Sequence, residues 1–304
     1  MTRSRWTLAD LPDLTGKRIV VTGPTAGLGT ATARELARAG AEVVLVARSH
    51  GKLDDVRRSL EADVPTARFV PVIADLSDLG SVRKGADEVA ALGPLDVLVN
   101  NAGVMALPYA RTVDGFELQL ATNHFGPFLL TGMLLPRLAE SGDGRVVVVA
   151  SQAHRLARRA PLEDPRTLHG RYSKWGAYGG SKLANLLFAF ELDRRAKAAG
   201  LPVKALAAHP GYSATELVGK TGGVGGQIMH AATRLLGQPA HLGALPTLMA
   251  ATADLPGSTY VGPDGLGQMR GYPRIVKARR RAYDADAQRQ LWDLSEQATG
   301  IRYP

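Results

Sequence analysis

The sequence predicts an α/β fold in which a doubly wound parallel sheet of about seven strands has helices on both faces. Short β-branched runs alternate with longer helical patterns from residue 17 to about residue 210. This alternation favours a parallel sheet with buried strands, and right-handed crossovers then make the sheet doubly wound. The first run also ends in a glycine-rich turn that opens a helix, as expected of the first crossover in such a sheet.

Six strands follow from the apolar runs, at residues 17–23, 42–47, 68–73, 95–100, 145–150 and 202–208. Helical patterns occupy residues 28–39, 49–60, 77–92, 112–139 and 178–199. Pro127 is expected to bend or break the fourth of these helices, because a proline removes a hydrogen bond inside a helix.

We expect a single domain over residues 1–304, since the pattern has no break that would mark a boundary. Its core would be about residues 15–262, a segment at about 212–250 would cover a substrate, and residues 263–304 would form a C-terminal extension.

The composition is that of a soluble globular protein, with 45% hydrophobic and 21% charged residues. There is no cysteine, which excludes disulfides, a thiol nucleophile and zinc–thiolate sites, and fits a reducing compartment such as the cytoplasm. No apolar segment follows the first residues and the apolar runs are short, so we expect neither a signal peptide nor a transmembrane segment.

The net charge of +9 is densest at residues 277–281, with the sequence Lys-Ala-Arg-Arg-Arg. This run is interpreted either as a solvated surface segment or as a contact for phosphate or a polyanion. No nucleic-acid recognition motif accompanies it, so no nucleic-acid partner is expected. The seven histidines lack paired spacing and a carboxylate cluster, so no metal site is expected either.

The turn after the first strand has glycines in a G-x-x-x-G-x-G spacing, at Gly23, Gly27 and Gly29, with Thr25 and Leu28 between them. Glycine is needed where the backbone turns sharply or where a side chain would block a phosphate. The helix that follows offers free N–H groups to a pyrophosphate, which indicates a Rossmann-type dinucleotide site. A tight turn without a ligand is the alternative.

Arg48 closes the second strand, where NAD-binding folds often carry an acidic residue for the ribose hydroxyls. No acidic residue stands at positions 46–48. An arginine there can pair with a 2′-phosphate, which favours NADP(H) over NAD(H). Alternatively, Arg48 only stacks on the adenine and the cofactor specificity is loose.

Tyr178 and Lys182 are four residues apart on a predicted helix and therefore lie on one face. An ammonium beside a phenol is expected to lower the pKa of the phenol and so to favour acid–base catalysis. Ser151 follows the fifth strand, at the sheet edge where such folds bind ligands, and its hydroxyl could stabilise a developing charge. The alternatives are a surface tyrosine with a solvated lysine, and a serine that only caps a turn.

With these residues the chain resembles the short-chain dehydrogenase/reductase family over about residues 15–262, and within it the retinol dehydrogenase and protochlorophyllide reductase-like branch. The motifs that carry the resemblance are Thr22-Gly23, Gly27-x-Gly29, Asp75-Leu76, Asn101-Ala102-Gly103, Asn123, Ser151, Tyr178-x-x-x-Lys182 and Pro210-Gly211. The resemblance implies an enzyme with catalytic residues Asn123, Ser151, Tyr178 and Lys182, in which Asn123 holds a water for proton relay.

The resemblance also implies cofactor contacts. Asp75 would touch the adenine edge with Leu76 packed near it, although Asp75 could instead cap the next helix. The remaining contacts would be Asn101, Ala102 and Gly103 beside the fourth strand, Tyr178 and Lys182 on the long helix, and Pro210, Gly211 and Thr215 at the nicotinamide end. A plain turn at residues 101–103, and a structural role for Asn123, remain as alternatives.

The expected function is NADP(H)-dependent hydride transfer to or from a small hydrophobic carbonyl or alcohol compound. The alternative is a non-catalytic NADP(H)-binding sensor or interaction module, since a fold alone does not decide function. Ser151 and Tyr178 are separated by an insertion that contains the rival Tyr172 and also His154, which either lines the pocket or caps the loop. The resemblance further implies a homodimer or homotetramer.

Overall fold

The computed structural model describes residues 5–168, 170–212 and 238–304. Eight strands form one sheet in the order β3-β2-β1-β4-β5-β6-β7-β8. They are β1 Arg18–Thr22, β2 Glu42–Ala47, β3 Phe69–Ile73, β4 Val97–Asn100, β5 Gly144–Val149, β6 Val203–Ala208, β7 Tyr260–Pro263 and β8 Pro273–Ile275.

The prediction of a doubly wound sheet is confirmed, but the strand count of about seven is one too low. Strands β1 to β7 are parallel, whereas β8 runs antiparallel to β7. The eighth strand has only three residues and begins with a proline, so neither its length nor its sequence pattern predicts a strand. The strand order reverses between β1 and β4, which opens a crevice at their carboxyl ends.

Seven helices flank the described sheet. They are α1 Gly27–Arg38, α2 His50–Asp63, α3 Leu79–Ala90, α4 Gly126–Glu140, α5 Lys174–Ala198, α6 Ala240–Thr252 and α7 Ala285–Thr299. Alternate residues of the strands face opposite sides: Val20 packs with α3, α4, α5 and α7, whereas Ile19 and Val21 pack with α1, α2 and α6. The sheet is therefore buried on both faces, which explains its continuous runs of valine, leucine and isoleucine.

The long helical region predicted at residues 112–139 begins later and is not broken at Pro127. A short helical turn at Leu118–Leu120 leads into a π-helical turn at Ala121–Phe125, and α4 continues directly from it. Pro127 lacks an N–H, and its ring would crowd the carbonyl of the residue four positions earlier in a regular helix. That residue, Asn123, lies inside the wider π turn, which accommodates the proline without ending the helix.

The C-terminal segment packs into the main core. The indole of Trp292 on α7 is buried, with its centroid 5.1 Å from the ring of Phe128 and 6.0 Å from that of Phe188. Ser295 on the same helix lies with its Oγ 2.7 Å from Nε2 of His124 in the π turn. None of the helices in the described ranges is long and apolar enough to cross a membrane.

Candidate active site

The glycine-rich turn after β1 has no room for larger residues. Gly23 and Gly27 have positive φ angles of 66° and 57°, which favour glycine. A Cβ on Gly29 would lie 2.1 Å from the carbonyl oxygen of Gly23. Helix α1 begins at Gly27 and its N-cap, Ala26, supplies no side-chain cap, so the first N–H groups of the helix are left for a ligand. Thr25 and Leu28 are half-buried in the same turn.

The turn at residues 101–103 lies directly against this glycine turn. The hydroxyl of Thr22 accepts hydrogen bonds from the N–H groups of Asn101 and Ala102, both at 3.0 Å. The side chain of Asn101 donates to the carbonyl of Thr22 at 2.8 Å. A Cβ on Gly23 would lie 2.9 Å from Cα of Ala102. The two predicted cofactor segments are thus joined by Thr22, a residue to which the sequence assigned no role of its own.

Arg48 and Asp75 follow the neighbouring strands β2 and β3. The side chain of Arg48 is exposed, and within residues 5–168, 170–212 and 238–304 it has no ion pair or hydrogen bond. The carboxylate of Asp75 accepts from the backbone and hydroxyl of Ser77, at 2.9 and 2.7 Å. The N-cap of α3 is Asp78 instead, so Asp75 does not cap that helix. Leu76 is buried beside this turn.

Asn123 is held in the π turn by both ends of its amide. Its Oδ1 accepts from the N–H of Val104 at 2.7 Å, and its Nδ2 donates to the carbonyl of Val104 at 2.9 Å. Nδ2 also donates to the hydroxyl of Ser181 at 2.9 Å, and that hydroxyl donates to the carbonyl of Tyr178 at 2.8 Å. Asn123 therefore connects the segment after β4 to the helix that carries Tyr178.

Ser151 and Tyr178 are brought together by the end of β5 and the first turns of α5. The Ser151 hydroxyl caps the turn Gln152–Leu156 by accepting from the N–H of Ala153 at 3.1 Å, and it is near enough to the phenol of Tyr178 to influence the pKa of that phenol. Burial raises the pKa of Tyr178, and the hydroxyl of Ser151 lowers it in part. This direction is opposite to the one expected from a neighbouring ammonium, because the removal of the phenolate from water is the largest influence on the pKa.

Lys182 is buried one helical turn beyond Tyr178. Its Nζ donates to the carbonyl of Val149 at 2.9 Å and lies 5.9 Å from the centre of the Tyr178 ring. Burial lowers the pKa of Lys182 to about 8. A Cβ on Gly103 would lie 3.0 Å from Oδ1 of Asn123 and 3.4 Å from Nζ of Lys182, so both polar groups approach the cofactor turn at this glycine.

Tyr172, the other tyrosine considered for the acid–base role, takes part in a hydrogen-bond network away from Ser151. The hydroxyl of Tyr172 donates toward the carbonyl of Leu107 and the carboxylate of Glu117, at 3.1 and 3.0 Å, and accepts from Gln119 at 2.7 Å. Burial, followed by the charge of Glu117, raises the pKa of Tyr172. The hydroxyl of Tyr172 is therefore engaged by three protein partners.

His154 bridges two segments in its neutral form. Its Nε2 accepts from the N–H of Arg279 at 3.1 Å, which leaves Nδ1 to donate to the carbonyl of Ser151 at 2.7 Å. Burial lowers the pKa of His154. It supports the loop after Ser151 and is tied to the C-terminal segment.

Pro210 and Gly211 follow β6 at the same sheet edge. Gly211 has a φ of 70°, and a Cβ there would lie 2.3 Å from the carbonyl oxygen of Met269. Thr215 lies outside the described residues, as do the apolar residues of the predicted substrate-covering segment that fall between positions 213 and 237. They are Leu217, Val218, Val224, Ile228, Met229, Leu235 and Leu236.

One polar cluster beside the site had no signal in the sequence analysis. Nε2 of Gln152 donates to Oε1 of Gln268 at 2.5 Å, and that oxygen lies 3.1 Å from Nε2 of His209. Gln268 has a φ of 58°, a left-handed conformation for a residue that is not glycine. These residues are far apart in the chain, so only the fold brings them together. No group of three or more metal-ligating side chains occurs among the described residues.

The comparisons with known proteins agree with this arrangement. A family model described as short chain dehydrogenase matches residues 17–161. Mouse polyprenol dehydrogenase is 40% identical over 306 residues, which cover 95% of this chain and 86% of the relative. Human retinol dehydrogenase 13 is 35% identical over 299 residues and covers the same shares.

Two solved structures extend the likeness to the fold. A crystal structure of an uncharacterized protein from Mycobacterium paratuberculosis is 46% identical, with a TM-score of 0.83, and covers 99% of this chain and 100% of its own. An NAD(P)-dependent gluconate 5-dehydrogenase from Beutenbergia cavernae, with bound NADP, is 26% identical with a TM-score of 0.62, over 79% of this chain and 91% of its own. The chain belongs to the short-chain dehydrogenase/reductase family of nicotinamide-dependent oxidoreductases, in its retinol dehydrogenase-like branch.

Proposed function

We propose that this protein is an NADP(H)-dependent oxidoreductase that transfers hydride between the nicotinamide and a hydrophobic carbonyl or alcohol substrate. Tyr178 is its general acid and base. The observation that carries the proposal is the buried phenol of Tyr178 near the hydroxyl of Ser151, with the buried ammonium of Lys182 5.9 Å from the centre of the same ring. A phenol, a hydroxyl and an ammonium at one sheet edge fit proton transfer to a reacting oxygen.

In the reducing direction Tyr178 donates the proton. Its raised pKa keeps the phenol protonated at neutral pH, so the proton is present for transfer to the reacting oxygen. The hydroxyl of Ser151 lies next to the phenol and orients the substrate oxygen between the two groups. A nicotinamide bound beside these residues would supply the hydride. In the oxidising direction the phenolate form of Tyr178 accepts the proton from the alcohol and becomes the phenol.

Lys182 and Asn123 restore the proton on Tyr178. The ammonium, with a pKa near 8, exchanges protons readily at physiological pH. Asn123 faces it across Gly103, and the resemblance to the family assigns to this asparagine a water that completes the relay. Asn123 also fixes the start of α5 through Ser181, and so keeps Tyr178 in place.

The chain's own residues fit a dinucleotide with a 2′-phosphate. The glycine turn leaves the N–H groups at the start of α1 open to a pyrophosphate. Arg48 is exposed and unpaired within the described residues, as a phosphate-binding arginine would be before its ligand arrives. Asp75 and Leu76 would adjoin the adenine, residues 101–103 and 210–211 would line the cofactor, and Thr215 would lie at the nicotinamide end.

The substrate class is supported by apolar residues and by the names of relatives. The segment at about residues 212–250 is rich in apolar side chains, and we propose that it covers the substrate. Mouse polyprenol dehydrogenase and human retinol dehydrogenase 13 are named for apolar alcohols. We further propose that residues 1–304 form one catalytic unit. Its place in the cytoplasm and its assembly as a homodimer or homotetramer stay predictions from the sequence.

The deciding experiment follows NADPH oxidation at 340 nm, with the purified chain and a panel of hydrophobic aldehydes, ketones and quinones, and identifies the alcohol product by mass. Turnover with stereospecific transfer of deuterium from labelled NADPH supports the proposal. Tight NADPH binding without turnover of any compound, in either direction, would instead identify a non-catalytic NADP(H)-binding module. A substrate panel of sugars is the matched control and is expected to be inert.

A further inference from the structure

The positive charge of this chain is concentrated in two short segments. Residues 152–174 contain six basic and two acidic residues, and residues 270–283 contain six basic residues and no acidic ones. Together they carry an excess of ten positive charges, against a net charge of +9 for the whole chain. The rest of the protein is therefore close to neutral, so the basic character belongs to a particular part of the molecule.

The fold places these two segments side by side. The N–H of Arg279 donates to His154, and the guanidinium of Arg281 donates to the carbonyl of Ala157 at 3.0 Å. Arg281 also lines one surface concavity together with Arg158 and Arg159. We call the surface formed by residues 155–159 and 274–283 the basic platform.

Most cations of the basic platform have no acidic partner. Arg159 pairs with Glu163 at 2.5 Å, but no ion pair involves Arg155, Arg158, Arg279 or Arg280 within the described ranges. All four side chains are exposed. Elsewhere on the surface the arginines commonly face a carboxylate, as Arg58 faces Asp55 and Arg137 faces Glu140. The platform thus presents free positive charge to a partner.

Large apolar side chains are exposed within the same two segments. Leu156 is 56% exposed, Ile275 is 58% exposed and Tyr283 is 49% exposed. Leu266 and Met269, also exposed, stand on the neighbouring loop that contacts Gln152 through Gln268. Five of the nine exposed large apolar residues in the described parts of the chain thus belong to the basic platform or to this neighbouring loop. Water-exposed apolar groups between unpaired arginines are typical of surfaces that lie in a membrane interface.

We propose that the basic platform binds peripherally to the surface of an anionic lipid bilayer. The arginines meet lipid phosphates, and Leu156, Ile275 and Tyr283 enter the interface between headgroups and acyl chains. A nucleic acid would use the cations but leave these apolar side chains in water. The basic platform is connected to Ser151 through the imidazole of His154. This ring hydrogen-bonds both the carbonyl of Ser151 and the N–H of Arg279. Docking therefore holds the loop after Ser151 at the lipid surface.

The test is sedimentation of the full chain with vesicles, without NADPH or substrate, so that its outcome is independent of the proposed activity. Vesicles of phosphatidylcholine alone are compared with vesicles that also contain phosphatidylglycerol, over a series of salt concentrations. We expect binding only to the anionic vesicles, and weaker binding as salt rises. Equal binding to both vesicles, or to neither, would overturn the proposal.

A matched pair of charge variants locates the surface. The platform variant is Lys277→Gln with Arg279→Gln and Arg280→Gln, and the control is Lys52→Gln with Lys84→Gln and Lys197→Gln, three exposed lysines elsewhere. Both lose the same charge. At about fivefold per cation near an anionic surface, the platform variant should bind about 100-fold more weakly. Equal weakening in the control would mean that only the net charge matters, and would refute the platform.

A second pair of variants tests the contribution of the apolar side chains to vesicle binding. Ile275→Ser with Leu156→Ser should weaken vesicle binding at least about tenfold, whereas Val113→Ser, at an exposed site on another part of the surface, should not. Unchanged thermal unfolding of each variant shows that its fold is intact. If the apolar variant binds like the wild type, and the protein binds duplex DNA more tightly than vesicles, the platform is a polyanion site and the membrane proposal fails.

Discussion

The amide of Asn123 closes a pair of hydrogen bonds with the backbone of a single residue, Val104. Oδ1 accepts from the N–H at 2.7 Å and Nδ2 donates to the carbonyl at 2.9 Å, as a neighbouring strand would do. The same Nδ2 reaches Ser181 on α5 at 2.9 Å. One side chain thus fastens the π turn, the segment after β4 and the helix of Tyr178 to each other.

Replacement of this residue should therefore destabilise the protein as well as inactivate it. We expect Asn123→Leu, which keeps the size but loses three hydrogen bonds, to lower the free energy of unfolding by about 2–4 kcal/mol. Urea unfolding measures the loss. The control is Asn185→Leu: its amide makes one bond of 3.2 Å to Val149 and its Oδ1 has no partner, so the loss should be about 1 kcal/mol or less. Equal losses would contradict this account of Asn123.

We expect the buried charge of Lys182 to lower the free energy of unfolding, although the reaction requires this residue. Its pKa is lowered from 10.5 to about 8 by burial, so the charged form is disfavoured in the folded state. Lys182→Met should raise the free energy of unfolding at pH 7 by about 1–3 kcal/mol. The carbonyl of Val149 keeps a donor in that variant, because Asn185 also bonds it. Turnover should be lost.

The pH dependence provides a second check on Lys182. Between about pH 8 and pH 10.5 the unfolded chain holds this proton and the folded protein does not, so stability contributed by this residue rises with pH in that window. Below about pH 8 both states are protonated and the burial penalty is complete. The difference in stability between Lys182→Met and the wild type should therefore shrink from pH 8 upward. A constant difference would argue against a lowered pKa.

Tyr178 and Tyr172 form a natural pair for mutagenesis. Tyr178→Phe removes the proposed acid and should reduce kcat by about 10²–10⁴-fold, with NADPH affinity retained. Tyr172→Phe removes a hydroxyl that bonds Leu107, Glu117 and Gln119, so it should lower the melting temperature with little change in kcat. Steady-state kinetics and fluorescence titration with NADPH separate the two effects. The reverse pattern would assign the chemistry to the wrong tyrosine.

The glycine turn should tolerate no side chain at its tightest point. A Cβ on Gly29 would lie 2.1 Å from the carbonyl oxygen of Gly23, so Gly29→Ala must displace the turn, and we expect NADPH binding to be lost. Gly51 lies in α2 with nothing within 4 Å of an added Cβ. Gly51→Ala should therefore bind NADPH normally and gain up to about 1 kcal/mol of stability. Normal NADPH binding by Gly29→Ala would exclude this turn as the phosphate site.

Arg48 should decide between the two nicotinamide cofactors. Loss of a charge-assisted contact of about 1.5–3 kcal/mol predicts that Arg48→Ala raises the KM for NADPH about 10–100-fold, with a much smaller effect on NADH. Arg58→Ala removes an exposed arginine that pairs with Asp55, and it should change neither constant. An equal rise of the KM for NADPH and for NADH in Arg48→Ala would contradict the proposal that Arg48 contacts the 2′-phosphate.

The sheet and the edge that carries the site could be predicted from the sequence, because buried parallel strands leave short but continuous apolar runs. The π turn at Ala121–Phe125 could not, since the widening depends on Asn123 reaching Val104 and on Pro127 in the next turn. The direction of the Tyr178 pKa was also missed, because burial is a property of the packed helix and not of a four-residue spacing. The contacts of Thr22 and Gln268 depend on residues distant in the chain.

The packing of α7 against the π turn has a consequence for synthesis. The helix leaves the ribosome after all eight strands, yet it supplies Trp292 to the rings of Phe128 and Phe188, and Ser295 to His124, the residue beside Asn123. A nascent chain that has already emerged as far as β8 still exposes these rings to water. The support behind the catalytic edge of the sheet is thus complete only when residues 285–299 have emerged.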